Sequence, residues 1–179
     1  EDHRQVAGEL TKTVEAVAAS GWDAPAPPEG WVARDVVRHL VEWLPAFLEG
    51  STGIVLPRGP SVDDDPAGAW RAHAEGVQAL LDDPPIADRE HDFPHIGRMS
   101  LGQAIAMIYT PDVFLHRWDL ARATGQDETL DPRRCAEMLE GMLPMDEVLR
   151  QSGQYGPRVE VPGDASAQTK LLAFIGRTP

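Results

Sequence analysis

A helical repeat whose polar residues fall on the wrong face constrains this chain more than any other feature. In LGQAIAMIYTPDVFLHRWDLARATG, residues 101–125, seven side chains share an arc of about 80° when successive residues are turned by about 100°. They are Leu101, Ile105, Ile108, Asp112, His116, Asp119 and Ala123. The spacing predicts one face of one helix. Its first half is an ordinary core stripe, whereas its second half sets two carboxylates and an imidazole where leucine is expected. Burying a charge is costly unless it is paired or bound to a metal. The stripe therefore requires a partner from elsewhere in the chain.

Further helical periods can supply it. Val6, Leu10, Val14 and Val17 recur at three- and four-residue steps and predict a first helix from Arg4 to Ala19, stopped at Ser20-Gly21. A turn-rich DAPAPPEG segment follows. A second helix is expected from Val32 to Leu48, with Val36, Leu40, Trp43, Leu44 and Phe47 inward, Pro45 interrupting its last turn and Gly50 ending it. After a loop over 50–65, Pro66 opens a third helix to Leu81 with Trp70, Ala74, Val77 and Leu81 inward. An irregular stretch leads to Ser100, the expected N-cap of the polar-striped helix.

Beyond Gly125 the signal is shorter and more mixed. Residues 132–150 read as helix divided by Pro144, Val159 and Val161 as a brief extended piece, and Asp164 as the cap of a last helix ending at Gly176. Four long helical runs with almost no strand signal predict an all-α bundle, and two long connections favour crossovers over simple alternation. We expect residues 1–130 to form the bundle and 131–179 a C-terminal helical extension packed on it as a single structural unit.

Charge and cysteine content narrow the partners. With 29 acidic and 16 basic side chains the formal charge is −13, and no basic cluster appears, so nucleic acid is not expected as a partner. Cys135 is the one cysteine, which excludes an intramolecular disulfide and a cysteine-based zinc site and fits a reducing cytoplasm. No apolar run approaches the roughly 18 residues of a membrane span, and EDHRQVAGEL carries no signal pattern, although the chain begins without Met. The expectation is a cytoplasmic monomer or homodimer that engages no membrane.

Asp112 and His116, spaced i, i+4, project from one side of one helical turn and can meet a single ion. His39 lies on the edge of the apolar arc of the second helix and is the best third donor; His3, His73, His91 and His95 lie in less suitable places. Two imidazoles and a carboxylate on one face of a divalent ion leave positions open, as in a catalytic site. The alternatives are a hydrogen-bonded core network without an ion, Asp112 as the cap of a helix restarting after Pro111, and Asp119 paired with Arg117 or Arg122.

Two segments carry a resemblance. WVARDVVRHLVEW, residues 31–43, and DVFLHRWDLARATGQD, residues 112–127, contain the patterns W-x-x-x-D-V-x-x-H-L and D-x-x-x-H-x-W-D-L-A-x-A-T-G. They resemble actinobacterial members of the DinB-like superfamily related to the N-terminal domain of mycothiol-dependent maleylpyruvate isomerase. VEVPGDASAQTKLLAFIGRTP, residues 159–179, resembles the C-terminal signature of one subfamily of that group. The resemblance implies a DinB-like four-helix bundle of up-up-down-down character. It also implies a divalent ion, zinc or nickel, held by His39, Asp112 and His116. The isomerase-type enzymes have Glu where this chain has Asp112, and their separate C-terminal domain is absent or reduced here to residues 131–179.

Supporting roles are expected nearby. Asp119 is placed to accept the ring N–H of His116 and fix its tautomer. Trp43, Trp118 and Arg38 are candidates for lining a pocket, and Arg34, Arg38, Arg117 and Arg122 flank the ligand segments where an anionic substrate would sit. Two functional readings stay open: a thiol-dependent isomerase or transferase acting on a small-molecule electrophile with mycothiol, the thiol implied by the resemblance, or a non-enzymatic metal- or ligand-binding module in stress response or regulation. No HExxH, G-x-S-x-G, phosphate-binding glycine loop or pair of Glu-x-x-His motifs is present.

Overall fold

Cap chemistry sets most of the helix bounds in the computed structural model, which describes residues 1–179. The Asp65 side chain accepts from the Gly68 N–H, Pro66 occupies the first turn, and helix α3 runs Pro66–Leu81 as expected. Helix α1 spans Asp2–Glu15 and ends earlier than its periodicity suggests: Val17 falls outside it, and Ala19–Gly21 form a single 3₁₀ turn. Helix α2 spans Ala33–Thr52, and its start is held by the Val32 N–H on the Asp35 carboxylate at 3.0 Å.

Helix α2 passes through Pro45 and Gly50 and stops at Gly53, whose φ of 74° is the left-handed value glycine adopts without penalty. An interior proline costs about 3 kcal/mol. Leu44 and Leu48, both at 0% exposure, flank it, and burying each is worth roughly 1.5–3 kcal/mol. Their burial offsets the break and carries the helix onward. Val36, Val37, Leu40, Leu44 and Leu48 form the inward face, and the expected core residues Trp43 and Phe47 are instead half-buried on its edge.

Between α3 and the polar-striped helix the chain makes a one-turn helix α4, Pro84–Ala87, and a hairpin of β1, Glu90–Phe93, with β2, Gly97–Ser100. The strands pair antiparallel from Glu90 opposite Ser100 to Phe93 opposite Gly97. His95 takes the turn at φ 68°. Ser100 then caps α5, Leu101–Ala104, with Gln103 returning the bond to its backbone.

The striped helix is not one continuous α-helix. Residues Ile105–Tyr109 form a π turn, after which α6 runs Thr110–Thr124 and ends at Gly125, φ 67°. Pro111 accounts for it. The proline cannot donate to the carbonyl four residues back, and its ring would clash there. Widening the preceding turn relieves both, and the Thr110 N–H bonds five residues back to Ile105. The extra residue advances the helix by about 100°. Tyr109 and Thr110 consequently turn into the core, and Ile108, expected inward, is half-buried.

Within the unit Glu1–Asp127, α1 packs on α3 and α6, and α2 packs on the same two helices. Helices α1 and α2 are therefore diagonal, the ring order of a four-helix bundle with long crossovers. Residues Glu128–Pro179 form a second compact unit. There α7, Pro132–Met142, packs on α9, Ala167–Phe174, around Cys135, Leu171 and Leu172, and the short α8, Asp146–Gln151, follows a 3₁₀ turn at Pro144. Ser166, not Asp164, caps α9, and residues 159–161 form no strand; the Val159 N–H bonds to Ala173 instead. No helix is long and apolar enough to cross a membrane.

Candidate metal centre

Helices α2 and α6 pack side by side in the bundle, and their contact brings His39, Asp112 and His116 together. The ligand atoms of the three residues lie within 4.8 Å of one another. His39 Nε2 is 3.1 Å from Asp112 Oδ2, and His116 Nε2 is 3.4 Å from Asp112 Oδ1. Donors around a tetrahedral ion at about 2.1 Å sit about 3.4 Å apart, so side chains whose ligand atoms lie within 4.8 Å of one another need only a small adjustment to share a divalent ion. Two borderline nitrogen donors and one oxygen suit zinc or nickel better than calcium or magnesium. The imidazole of His116 is 8% exposed, but Asp112 and His39 retain 25% and 32%, so the centre is approached from their side.

Electrostatics favour the charged pair. Burial works to lower the His116 pKa, but the Asp112 charge and hydrogen bond, followed by Asp119, outweigh it and raise the group to about 9. For Asp112 burial acts upward, and the His116 charge with bonds from both histidines holds it far below the usual carboxylate range. Asp119, 1% exposed, accepts from His116 Nδ1–H at 2.9 Å. A carboxylate only accepts, so the bond fixes the ring with Nε2 toward Asp112, the tautomer and orientation a ligand needs.

Aromatic rings enclose the three residues. The segment before α2 is tied to that helix by Ala33 N–H to Ala24 and Arg34 N–H to Trp22, which sets Trp31 over the imidazoles. Its ring stacks on His116 at 5.7 Å and 14° and meets His39 at 5.3 Å. Trp31 belongs to the W-x-x-x-D-V pattern, yet periodicity could not place it, because it precedes the helix. Trp43, expected at a pocket, donates its indole N–H to Asp112 Oδ2 at 2.9 Å.

The other expected pocket residues lie apart. Trp118 is 1% exposed, carries the Arg122 guanidinium at 4.6 Å from its ring centroid and is not among the rings that meet around His39, Asp112 and His116. Arg38 turns to Asp63 at 2.6 Å and Asp35 at 3.4 Å, and it lines a cavity of about 520 Å³ beneath residues 55–63 that none of the three ligands borders. Arg34 pairs with Asp23 at 2.8 Å. These arginines are committed to structure.

A second polar group in the core went unread. His73 and His3, at 4% and 5% exposure, bond to Tyr109 Oη at 2.7 Å and Thr110 Oγ1 at 2.9 Å. The Thr110 hydroxyl donates to Ile105, so it accepts from His3 Nδ1–H, and His3 Nε2 is buried without a partner. Burial lowers both histidines to about 4. The signal for His73 was available, since it shares the 66-69-70-73-77 stripe that buries α3.

The profile of the mycothiol maleylpyruvate isomerase N-terminal domain matches residues 3–121, a span that takes in the whole centre. The uncharacterized proteins MT0763 and Rv0738 of Mycobacterium tuberculosis are each 26% identical to this chain over 187 residues, covering 98% of it and 96% of the relative. With the profile spanning most of the chain and the bundle built as that fold requires, this chain belongs to the mycothiol maleylpyruvate isomerase N-terminal domain family, within the DinB-like fold.

Proposed function

We propose that the chain binds one divalent ion, zinc or nickel, through His39, Asp112 and His116, and acts as a thiol-dependent isomerase or transferase with mycothiol as the thiol. The observation that carries this is the convergence of two imidazoles and a carboxylate from neighbouring helices, with their ligand atoms within 4.8 Å of one another. A bound ion there supplies Lewis acidity, which lowers the pKa of a thiol and polarises a substrate carbonyl. The protein's own contribution is orientation. Asp119 holds the His116 ring, Trp31 covers the two imidazoles from solvent, and the half-open Asp112 and His39 leave the approach to small molecules.

Metal analysis of protein purified without added metal, set beside His39→Ala, tests the site. We expect close to one ion per chain in the parent and its loss in the variant; equal content in both removes the site. Metal-loaded protein incubated with mycothiol and an electrophilic acceptor then tests the chemistry, and the absence of adduct, isomer and thiol binding refutes the enzymatic half of the proposal.

One observation favours a second reading, a binding module without turnover. The two histidines already satisfy Asp112 by hydrogen bonds, so the three residues also stand as a self-compensated network. Stoichiometric metal with no thiol chemistry selects that reading.

A further inference from the structure

The two oxygens of Asp112 are not equivalent. Oδ2 takes both the Trp43 indole N–H at 2.9 Å and His39 Nε2 at 3.1 Å, whereas Oδ1 faces His116 Nε2 at 3.4 Å. When His39 gives its Nε2 lone pair to an ion, the indole is the one donor left on Oδ2. We propose that Trp43 is a positioning residue of the metal centre: its N–H occupies Oδ2 and makes Asp112 a one-oxygen ligand through Oδ1. This rests on the reading of the three residues as metal ligands.

The surroundings of Trp43 support a fixed donor. Its ring meets Tyr109 at 5.6 Å and 65° and Phe47 at 6.1 Å and 62°, and it meets His39 at 6.2 Å. Phe47 is itself stacked on Phe93 of the hairpin at 5.6 Å and 10°. The indole is therefore wedged between a fully buried tyrosine and an aromatic pair, and its N–H is aimed by packing. An aspartate is too short to choose its binding mode by bending away, as a longer glutamate does. A donor on one oxygen makes the choice for it, leaving more of the ion's positions for thiol and substrate.

The test uses the full chain titrated with Co²⁺, whose visible bands weaken as coordination number rises. Trp43→Phe keeps a ring in place and removes the N–H; Trp43→benzothienylalanine keeps the whole indole shape and exchanges only the N–H for sulfur. Both variants are expected to bind Co²⁺ roughly 10- to 100-fold more weakly and to show weaker visible bands, because Asp112 then binds through both oxygens. Wild-type affinity and wild-type bands in the benzothienylalanine protein overturn the proposal, whatever the folding of the phenylalanine variant. A separate measurement keeps the underlying reading distinct. The Trp43 indole N–H resonance of protein stripped of metal should lie downfield and move upfield in Asp112→Ala. If it does so while the wild type takes up no Co²⁺, the metal reading fails, and this proposal with it, although the hydrogen bond stands. If it does not move, the hydrogen bond is absent and only the Trp43 assignment falls.

Discussion

Acid should unfold the bundle unit through two histidines that lie outside the candidate centre. Burial lowers His3 and His73 from the ordinary 6.5 to about 4, and His3 Nε2 is buried with no acceptor to receive a second proton. A histidine whose folded pKa is depressed binds its proton more readily in the unfolded chain. Their contribution to stability is therefore complete above pH 6.5 and declines as pH falls from 6.5 toward 4. Moving each group from 6.5 to about 4 is worth about 3 kcal/mol. The two together approach the 5–15 kcal/mol that holds a typical domain, so unfolding should be under way before pH 4 is reached.

Urea denaturation at 25 °C, followed by far-ultraviolet circular dichroism at several pH values between 6.5 and 4, reads the slope directly. Two coupled histidines give at most about 2.7 kcal/mol per pH unit, and His3→Gln or His73→Gln should each remove about half of it. His116, raised to about 9, is protonated throughout this window in the folded protein, and its contribution is instead lost above pH 6.5 as pH rises through 9. All six histidines lie in residues 1–127, so the second unit adds no histidine to the slope. A stability that is flat from pH 6.5 to 5, or a slope unchanged in both variants, refutes the reasoning.

Two further expectations concern single hydrogen bonds. Asp119→Ala removes the acceptor that holds His116 and should weaken zinc binding roughly 10- to 100-fold in a competitive chelator titration; unchanged affinity would reduce Asp119 to packing. Tyr109→Phe keeps the buried ring but leaves His73 Nε2 without its partner, and should cost about 1–3 kcal/mol in urea unfolding at neutral pH. A neutral result there would show that His73 finds another partner.

What could be read from the chain depended on how local its cause was. Helix α3 was legible to the residue because Asp65 and Pro66 set its start within one turn, and Ser100 and Gly125 likewise bounded the striped helix. The stop of α2 was misplaced from Gly53 to Gly50, since a helical glycine and a terminating one differ in φ and not in sequence. The hairpin at 90–100 escaped because four-residue strands with one buried side chain carry almost no alternation. At the centre, His39, Asp112, His116 and Asp119 were found from spacing and resemblance. Trp31, and the bonding role of Trp43, came from the tertiary contact of α2 with α6, which no local period encodes.

The π turn at Ile105–Tyr109 gives the striped helix two separately set phases. Upstream, α5 is keyed to α4 and β2; downstream, α6 is keyed to α1 and α2. The turn works as a slip joint, and its one surplus residue is what aims Asp112 and His116 at His39. Resolving the turn into ordinary α-helical pitch with all its residues kept would swing the lower half by about 100°, whereas deleting Ile108 would absorb the surplus and leave Asp112 and His116 in phase. A substitution that resolves the turn at constant length keeps helical content while turning Asp112 and His116 off His39, so this joint is a point at which the centre can be lost without rebuilding the bundle.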